Sequence, residues 1–281
     1  MPGLWIVMRL ELFLLPRRWS MLVAAVLVAL AGAWVASGVR EAPWSAWSEI
    51  DFAALFVTLI LTFGTGDQII RDHTRRLDGV LLSSPVSTAV YVCGKYLATL
   101  IVLLGLVGVG LIGALLMDRF DAWTDPPIMF GHSRFPPLGP WPYISSWLLL
   151  MVTPTVFGAA FVLLVTTLTR GGRAVAVPGA LLFWLAPLFF SGWPTLLDAA
   201  AAHFYGMSDA DAAAGKLAMA TGIFQGPEPR AVALRVIALA QQATPHQLPP
   251  VFWWNRALFL GLAIVAVVGT VRVVSRHRRG A

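Results

Sequence analysis

The sequence predicts an all-α polytopic membrane protein, and three observations carry that prediction. Of its 281 residues, 58% are hydrophobic and only 12% charged, whereas a soluble domain is nearer a quarter charged. Its mean hydropathy is +0.77. Apolar runs long enough to cross a ~30 Å hydrocarbon core recur along the chain. Lipid satisfies no open backbone N–H or C=O, so such runs must be helices. The net charge of +6 then reads as a marker of orientation, and no nucleic acid is expected as a partner. The single cysteine, Cys93, allows no internal disulfide and no cysteine-built metal cage.

Residues 1–19 are apolar but interrupted by Arg9, Glu11 and Pro16. Trp5, Met8, Leu12 and Leu15 recur at helical spacing, which predicts a helix lying in the membrane interface. The first span is 20–39. It follows Arg17 and Arg18 like a signal peptide, but exceeds the usual apolar core of ~7–15 residues and is read as retained. Further spans are expected at 50–66, 88–117, 144–169, 174–194 and 251–274, giving six in one transmembrane domain. The run at 88–117 would be roughly 45 Å long as a helix, so it must tilt or protrude from the bilayer.

Basic residues set the orientation. With the N-terminus inside, Arg9, Arg17, Arg18, Arg71, Arg75, Arg76, Lys95, Arg170, Arg173, Arg272, Arg276, Arg278 and Arg279 lie on the inner side, thirteen of the 20 Lys and Arg residues. Arg40, Arg119, Arg134, Lys216, Arg230, Arg235 and Arg256 lie on the outer side, whose loops are longer. The positive-inside rule therefore puts both termini in the cytoplasm. Residues 118–143, rich in Pro and Gly, read as an ordered but irregular outer loop. Residues 195–250 read as a small extracytoplasmic cap, with helix starts at Ser208 and at Pro227 and Pro229. Trp19, Trp44, Trp47, Trp141, Trp147, Trp193, Trp253 and Trp254 fall near span ends, as interfacial anchors do.

The chemistry missing from the sequence is informative. No G-x-x-x-x-G-K-[ST] phosphate loop is present; the lysines are Lys95 and Lys216, in "VCGKY" and "AAGKL". His73, His132, His203, His246 and His277 are scattered without metal-ligand spacing. No G-x-S-x-G elbow occurs. The middles of the expected spans carry no charge, whereas ion-coupled carriers place charge near the midplane. Thr58, Thr62, Thr153, Thr155, Thr166, Thr167, Gly105, Gly108 and Gly113 are read as helix-packing residues. The chain is not expected to be an enzyme, nor to hold a cofactor or metal.

The inner segment 67–87 stands out. Ile69, His73, Leu77 and Val80 or Leu81 form an apolar side, with Arg71, Asp72, Arg75 and Asp78 facing elsewhere. Asp72 precedes Arg75 and Arg76 at the favourable helical spacing. Gly79 weakens the helix, Pro85 turns Ser84 out of it, and Ser87 is placed to cap the next span. Basic residues that merely hold topology would account for the same composition.

The run "IIRDHTRRLDGVLLSSPVSTAVYVCGKYLA" resembles the segment between the second and third spans of type-2 ABC transporter permeases. The features carrying the resemblance are Arg71-Asp72, Asp78-Gly79-Val80-Leu81-Leu82, Pro85-Val86-Ser87 and Gly94-Lys95. Asp72 stands where that family often has Glu, and the order "RRLDG" is looser than its usual acidic-Gly pattern. The resemblance implies a coupling helix that docks on a cytoplasmic ATPase, with Arg71, Asp72, Arg75, Arg76, Leu77, Asp78, Leu81 and Pro85 as the coupling residues. It implies two ABC ATPase subunits that carry ATP and Mg, a second permease copy or homologue, and lipid as the surrounding partner. It also implies a bacterial plasma membrane location and an export function. The alternative is a permease-like subunit that transmits ATPase cycles to an extracytoplasmic protein, as in secreted metalloenzyme maturation, without moving a cargo.

Overall fold

The computed structural model describes residues 2–17, 19–41, 86–124, 140–169 and 250–280, and among them every regular element is a helix. These are α1 (Pro2–Leu14), α2 (Trp19–Glu41), α3 (Thr88–Thr124), α4 (Pro140–Thr169) and α5 (Pro250–Gly280). Three of the five begin at proline, whose fixed φ suits a first helical turn and whose missing N–H has no partner to lose there. α1 ends ahead of Pro16, which disfavours helix in the residue before it. The expected spans at 50–66 and 174–194 lie outside the described residues, as does the cap expected at 195–250 except for Pro250, which opens α5.

Helices α2 to α5 are each long and apolar enough to cross a membrane. α1 has 13 residues, about 20 Å at ~1.5 Å per residue, and is too short. Large aliphatic side chains on the outward faces are consistent with helices that meet lipid. Leu30, Leu116, Ile264 and Val265 lie outward and are all more than half exposed, while Ala36, Ala98, Ala160, Thr155 and Thr270 are buried. Larger side chains such as Trp147, Leu150, Phe252 and Phe259 are buried beside them, and the small and hydroxyl residues let the helices approach closely around these.

α3 is the central helix, packing against all four others. Along α2 it runs in the same direction: Val28 meets Gly110, and Gly32 meets Ala114. α4 runs against α3, with Tyr143 beside Asp118 at one end and Tyr96 beside Val156 further along. α5 runs with α4, as Phe157 meets Phe259 and Leu164 meets Gly269. The starts of α1 and α3 and the end of α5 therefore share one end of the bundle.

Three sequence expectations are corrected. The segment 118–143 is not an irregular loop throughout: α3 has 37 residues and continues to Thr124, and α4 starts at Pro140. Asp118 is buried there, accepting a hydrogen bond from the Tyr143 hydroxyl at 3.2 Å, and a partner inside protein lets a carboxylate extend the helix. Trp147 is not an interfacial anchor. It is buried, and its Nε1–H donates to the Val107 carbonyl at 2.9 Å. On α1 the expected face divides: Leu15 is buried, whereas Trp5 joins Ile6, Leu10, Phe13 and Leu14 on the exposed side.

Candidate functional site

The coupling residues expected from sequence, Arg71, Asp72, Arg75, Arg76, Leu77, Asp78, Leu81 and Pro85, lie outside the described residues. What is described is the frame into which that segment leads. Ser87 precedes α3, and its Oγ accepts a hydrogen bond from the Val90 N–H at 3.3 Å. The Ser87 carbonyl accepts the first helical bond from Tyr91 at 3.0 Å. This is the N-cap geometry that the Pro85-Val86-Ser87 order predicts. Val86 and Ser87 alone separate Pro85 from the first residue of α3 in the sequence.

α1 lies across this start. Gly3 faces Val90, and Gly94 faces Val7 and the Leu4 carbonyl. A Cβ at Gly94 would lie 2.8 Å from Val7 Cγ1, nearer than side-chain carbons pack, so glycine permits this approach. One residue on, Lys95 Nζ donates to Glu11 Oε1 at 2.6 Å, and both side chains are almost wholly buried. The Lys95 ammonium also sits 5.2 Å from the Tyr91 ring centroid, within cation–π range. The Thr99 hydroxyl donates to the Lys95 carbonyl at 2.7 Å.

Sequence reasoning placed Lys95 on the inner side and read Glu11 as an interruption, but did not join them. A signal was available. Glu11 is the sole acid in the first 40 residues, and a carboxylate in an apolar helix needs a cationic or hydrogen-bonding partner. Gly94 beside Lys95 supplies both the clearance and the charge.

The hydroxyls elsewhere in the bundle are mostly committed to their own helices. Thr155 donates to the Met151 carbonyl, Thr166 to Val162, Thr167 to Leu163 and Thr270 to Ala266. Such back-bonding lets a hydroxyl be buried in a helix seam at little cost. Pro154 interrupts the α4 ladder, and the Tyr96 hydroxyl reaches across to the Val156 carbonyl at 3.1 Å. Gly113 packs on the Ala29 backbone, as a packing glycine should. Gly105 is instead exposed.

At the other end of the bundle, Asn255 and Arg256 are buried in the second turn of α5, with the Arg256 guanidinium 4.8 Å from the Phe252 ring. Trp141, Trp253 and Trp254 at this end are exposed, as anchors in an interfacial belt are. Among the described residues, no group of three His, Cys, Asp or Glu side chains is arranged to hold a metal. Among the described residues three buried polar centres stand out, Glu11–Lys95 at the α1 end and Asp118–Tyr143 and Asn255–Arg256 at the opposite end. Of these, Glu11–Lys95 adjoins the segment that the sequence singles out. No protein-family model matches the sequence, and no curated protein is significantly similar to it.

Proposed function

We propose that the chain is the membrane-spanning permease subunit of an ATP-driven exporter, similar to type-2 ABC transporter permeases. Two copies, or one copy and a homologue, surround the cargo path in a bacterial plasma membrane. Two cytoplasmic ABC ATPase subunits bind ATP and Mg and push on the helix within 67–87. The observation that carries this reading is the coupling-helix-like run of charged and apolar residues ending at Pro85, followed at once by the capped start of α3. A short helix with one apolar side and two signs of charge fits a groove in a partner and fixes its register there.

The directions of the helices support the six-span layout. α2 and α3 run parallel, as do α4 and α5, which is the arrangement expected if one further span lies between the members of each pair. Each intervening segment contains one apolar run, 50–66 and 174–194. In this layout both termini are cytoplasmic. Arg9, Arg17, Lys95, Arg272 and Arg276 then share the inner end, and Arg119 and Arg256 lie toward the outer one, in accord with the positive-inside rule.

The experiment is to purify the chain with its co-purifying ATPase, reconstitute the complex, and exchange the charges with Arg75→Asp and Asp78→Arg. The expected result is ATP hydrolysis that no longer responds to assembly with the permease. Unchanged coupling in both variants would sink the coupling-helix assignment. A second reading, transmission to an extracytoplasmic protein without cargo flux, draws on the length of the outer segment 195–250. Stable co-purification of an external protein, with no flux in vesicles, favours it over export.

A further inference from the structure

We infer that the buried Glu11–Lys95 pair is an orientation lock that joins α1 and the inner end of α3 into one moving body, so that α1 turns with α3 when force reaches the start of that helix. This rests on the transporter reading and says which elements move together under the push.

The argument begins with what apolar packing cannot do. The exposed face of α1 carries Trp5, Ile6, Leu10, Phe13 and Leu14, and Leu4 and Val7 approach α3 at Gly94. Both faces are greasy, so burial of apolar surface has little preference for which one meets α3. The contact of Gly3 with Val90 is non-directional, and the clearance at Gly94 that admits Val7 sets how closely α1 approaches without supplying a directional bond. Glu11 breaks the degeneracy, because only one rotation of α1 brings its carboxylate to Lys95 Nζ at 2.6 Å. A buried ion pair is a poor source of net stability, but a good specifier of register. Slipping past it would strand two charges in a low-dielectric setting.

The continuation of the chain gives the lock its consequence. The Leu15 N–H still bonds to the Glu11 carbonyl at 2.9 Å, so the end of α1 is held in helical order at the locking residue. Leu15 itself is buried. Residues 15–17 turn, and α2 opens at Trp19 and runs beside α3. α1 is thus pinned to α3 at Lys95, and α2 meets α3 again at Gly110 and Gly113. Two attachments flanking one turn transmit rotation, where one attachment would let α1 swing in the lipid.

The test uses spin labels on the purified complex in nanodiscs, in a Cys93→Ser background. One label pair, Ile6→Cys with Ile101→Cys, reports α1 against α3; a second, Ile6→Cys with Arg272→Cys, reports α1 against α5. All three sites are exposed. The lock predicts a narrow α1–α3 distance that ATP leaves unchanged, and an α1–α5 distance that ATP shifts. The apolar double variant Glu11→Leu with Lys95→Met should remain folded, since apolar replacement of a whole buried pair is commonly tolerated. Its α1–α3 distribution should broaden and its ATP-dependent α1–α5 shift should vanish, while the ATPase still hydrolyses ATP. The charge-swapped pair, Glu11→Lys with Lys95→Glu, should restore both readouts at least in part. An apolar double variant that matches wild type in both readouts overturns the lock and leaves the transporter reading intact. A wild-type complex without any ATP-dependent shift overturns the transporter reading, and the transmission claim with it.

Discussion

At Ser87 a single hydroxyl closes the gap between a charged segment and an apolar helix more than 30 residues long. Its Oγ accepts the Val90 N–H, one of the orphan donors of the first turn of α3. Ser87→Ala should cost about 1 kcal/mol, as loss of a serine N-cap does elsewhere, and Ser87→Asp should retain most of it. Thermal unfolding in detergent measures the difference. At the far end of the same helix the Tyr143 hydroxyl donates to buried Asp118. Tyr143→Phe removes that bond without opening a cavity, so the expected loss is about 1.5–3 kcal/mol, because the acceptor is a buried carboxylate. Truncating Lys95 to Ala is predicted to be worse than either, about 3–5 kcal/mol, since it leaves the Glu11 carboxylate buried without its cation. The same melting experiment ranks all three, and a Lys95→Ala protein as stable as wild type contradicts the buried-pair assignment.

Among the elements, the seam between α2 and α3 is set by backbone proximity. A Cβ added at Gly110 would lie 2.7 Å from Trp147 Cζ2 and 2.9 Å from Val28 Cγ1, and one at Gly113 would run into the Ala29 backbone. Neither the indole, held by its bond to Val107, nor a helix backbone yields cheaply. Gly113→Leu should therefore lower the yield of monodisperse protein sharply on size-exclusion chromatography. Gly105→Ala, at an exposed position, should be neutral or stabilising by up to ~1 kcal/mol, because glycine weakens a helix interior. This contrast marks the limit of the sequence reading. Hydropathy found α2 to α5 to within a few residues, apart from the C-terminal ends of α3 and α5, because spanning length is a strong and local signal. Ser87 as a cap was equally legible, since Pro85 and the following apolar run bracket it. Which of Gly105, Gly110 and Gly113 meets a neighbour was not legible: all lie on one apolar helix, and only the partner's position distinguishes them. Glu11 and Lys95 escaped for the same reason, being 84 positions apart, and Asp118 was assigned to a loop because composition cannot see the tyrosine that receives it.

For the molecule as a whole, the decisive quantity is which side of the membrane each segment faces. The start of α1 and the end of α5 share one end of the bundle, and exposed Trp141, Trp253 and Trp254 mark the other. If 50–66 and 174–194 each cross once, residues 67–87 face the α1 end and residues 195–250 face the tryptophan end. That separation is a condition of the transporter reading, because an ATPase in the cytoplasm reaches Arg75 only from inside. Single cysteines at Arg75, Ser208, Val251 and Arg276, in a Cys93→Ser background, test it with a membrane-impermeant maleimide. In intact spheroplasts the cysteines at 208 and 251 should label, whereas those at 75 and 276 should label only after permeabilisation. Exterior labelling at 75 with interior protection at 276 would break the six-span layout between α2 and α3, and would remove the loop from any cytoplasmic partner. Exterior labelling at both 75 and 276 would instead invert the whole protein against its basic residues. The positive-inside bias makes that inversion unfavourable, since it would carry Arg9, Arg17, Lys95, Arg272 and Arg276 outward together. The labelling pattern thus separates an error in span number from an error in orientation, and only the expected pattern leaves the loop where an ATPase can push it.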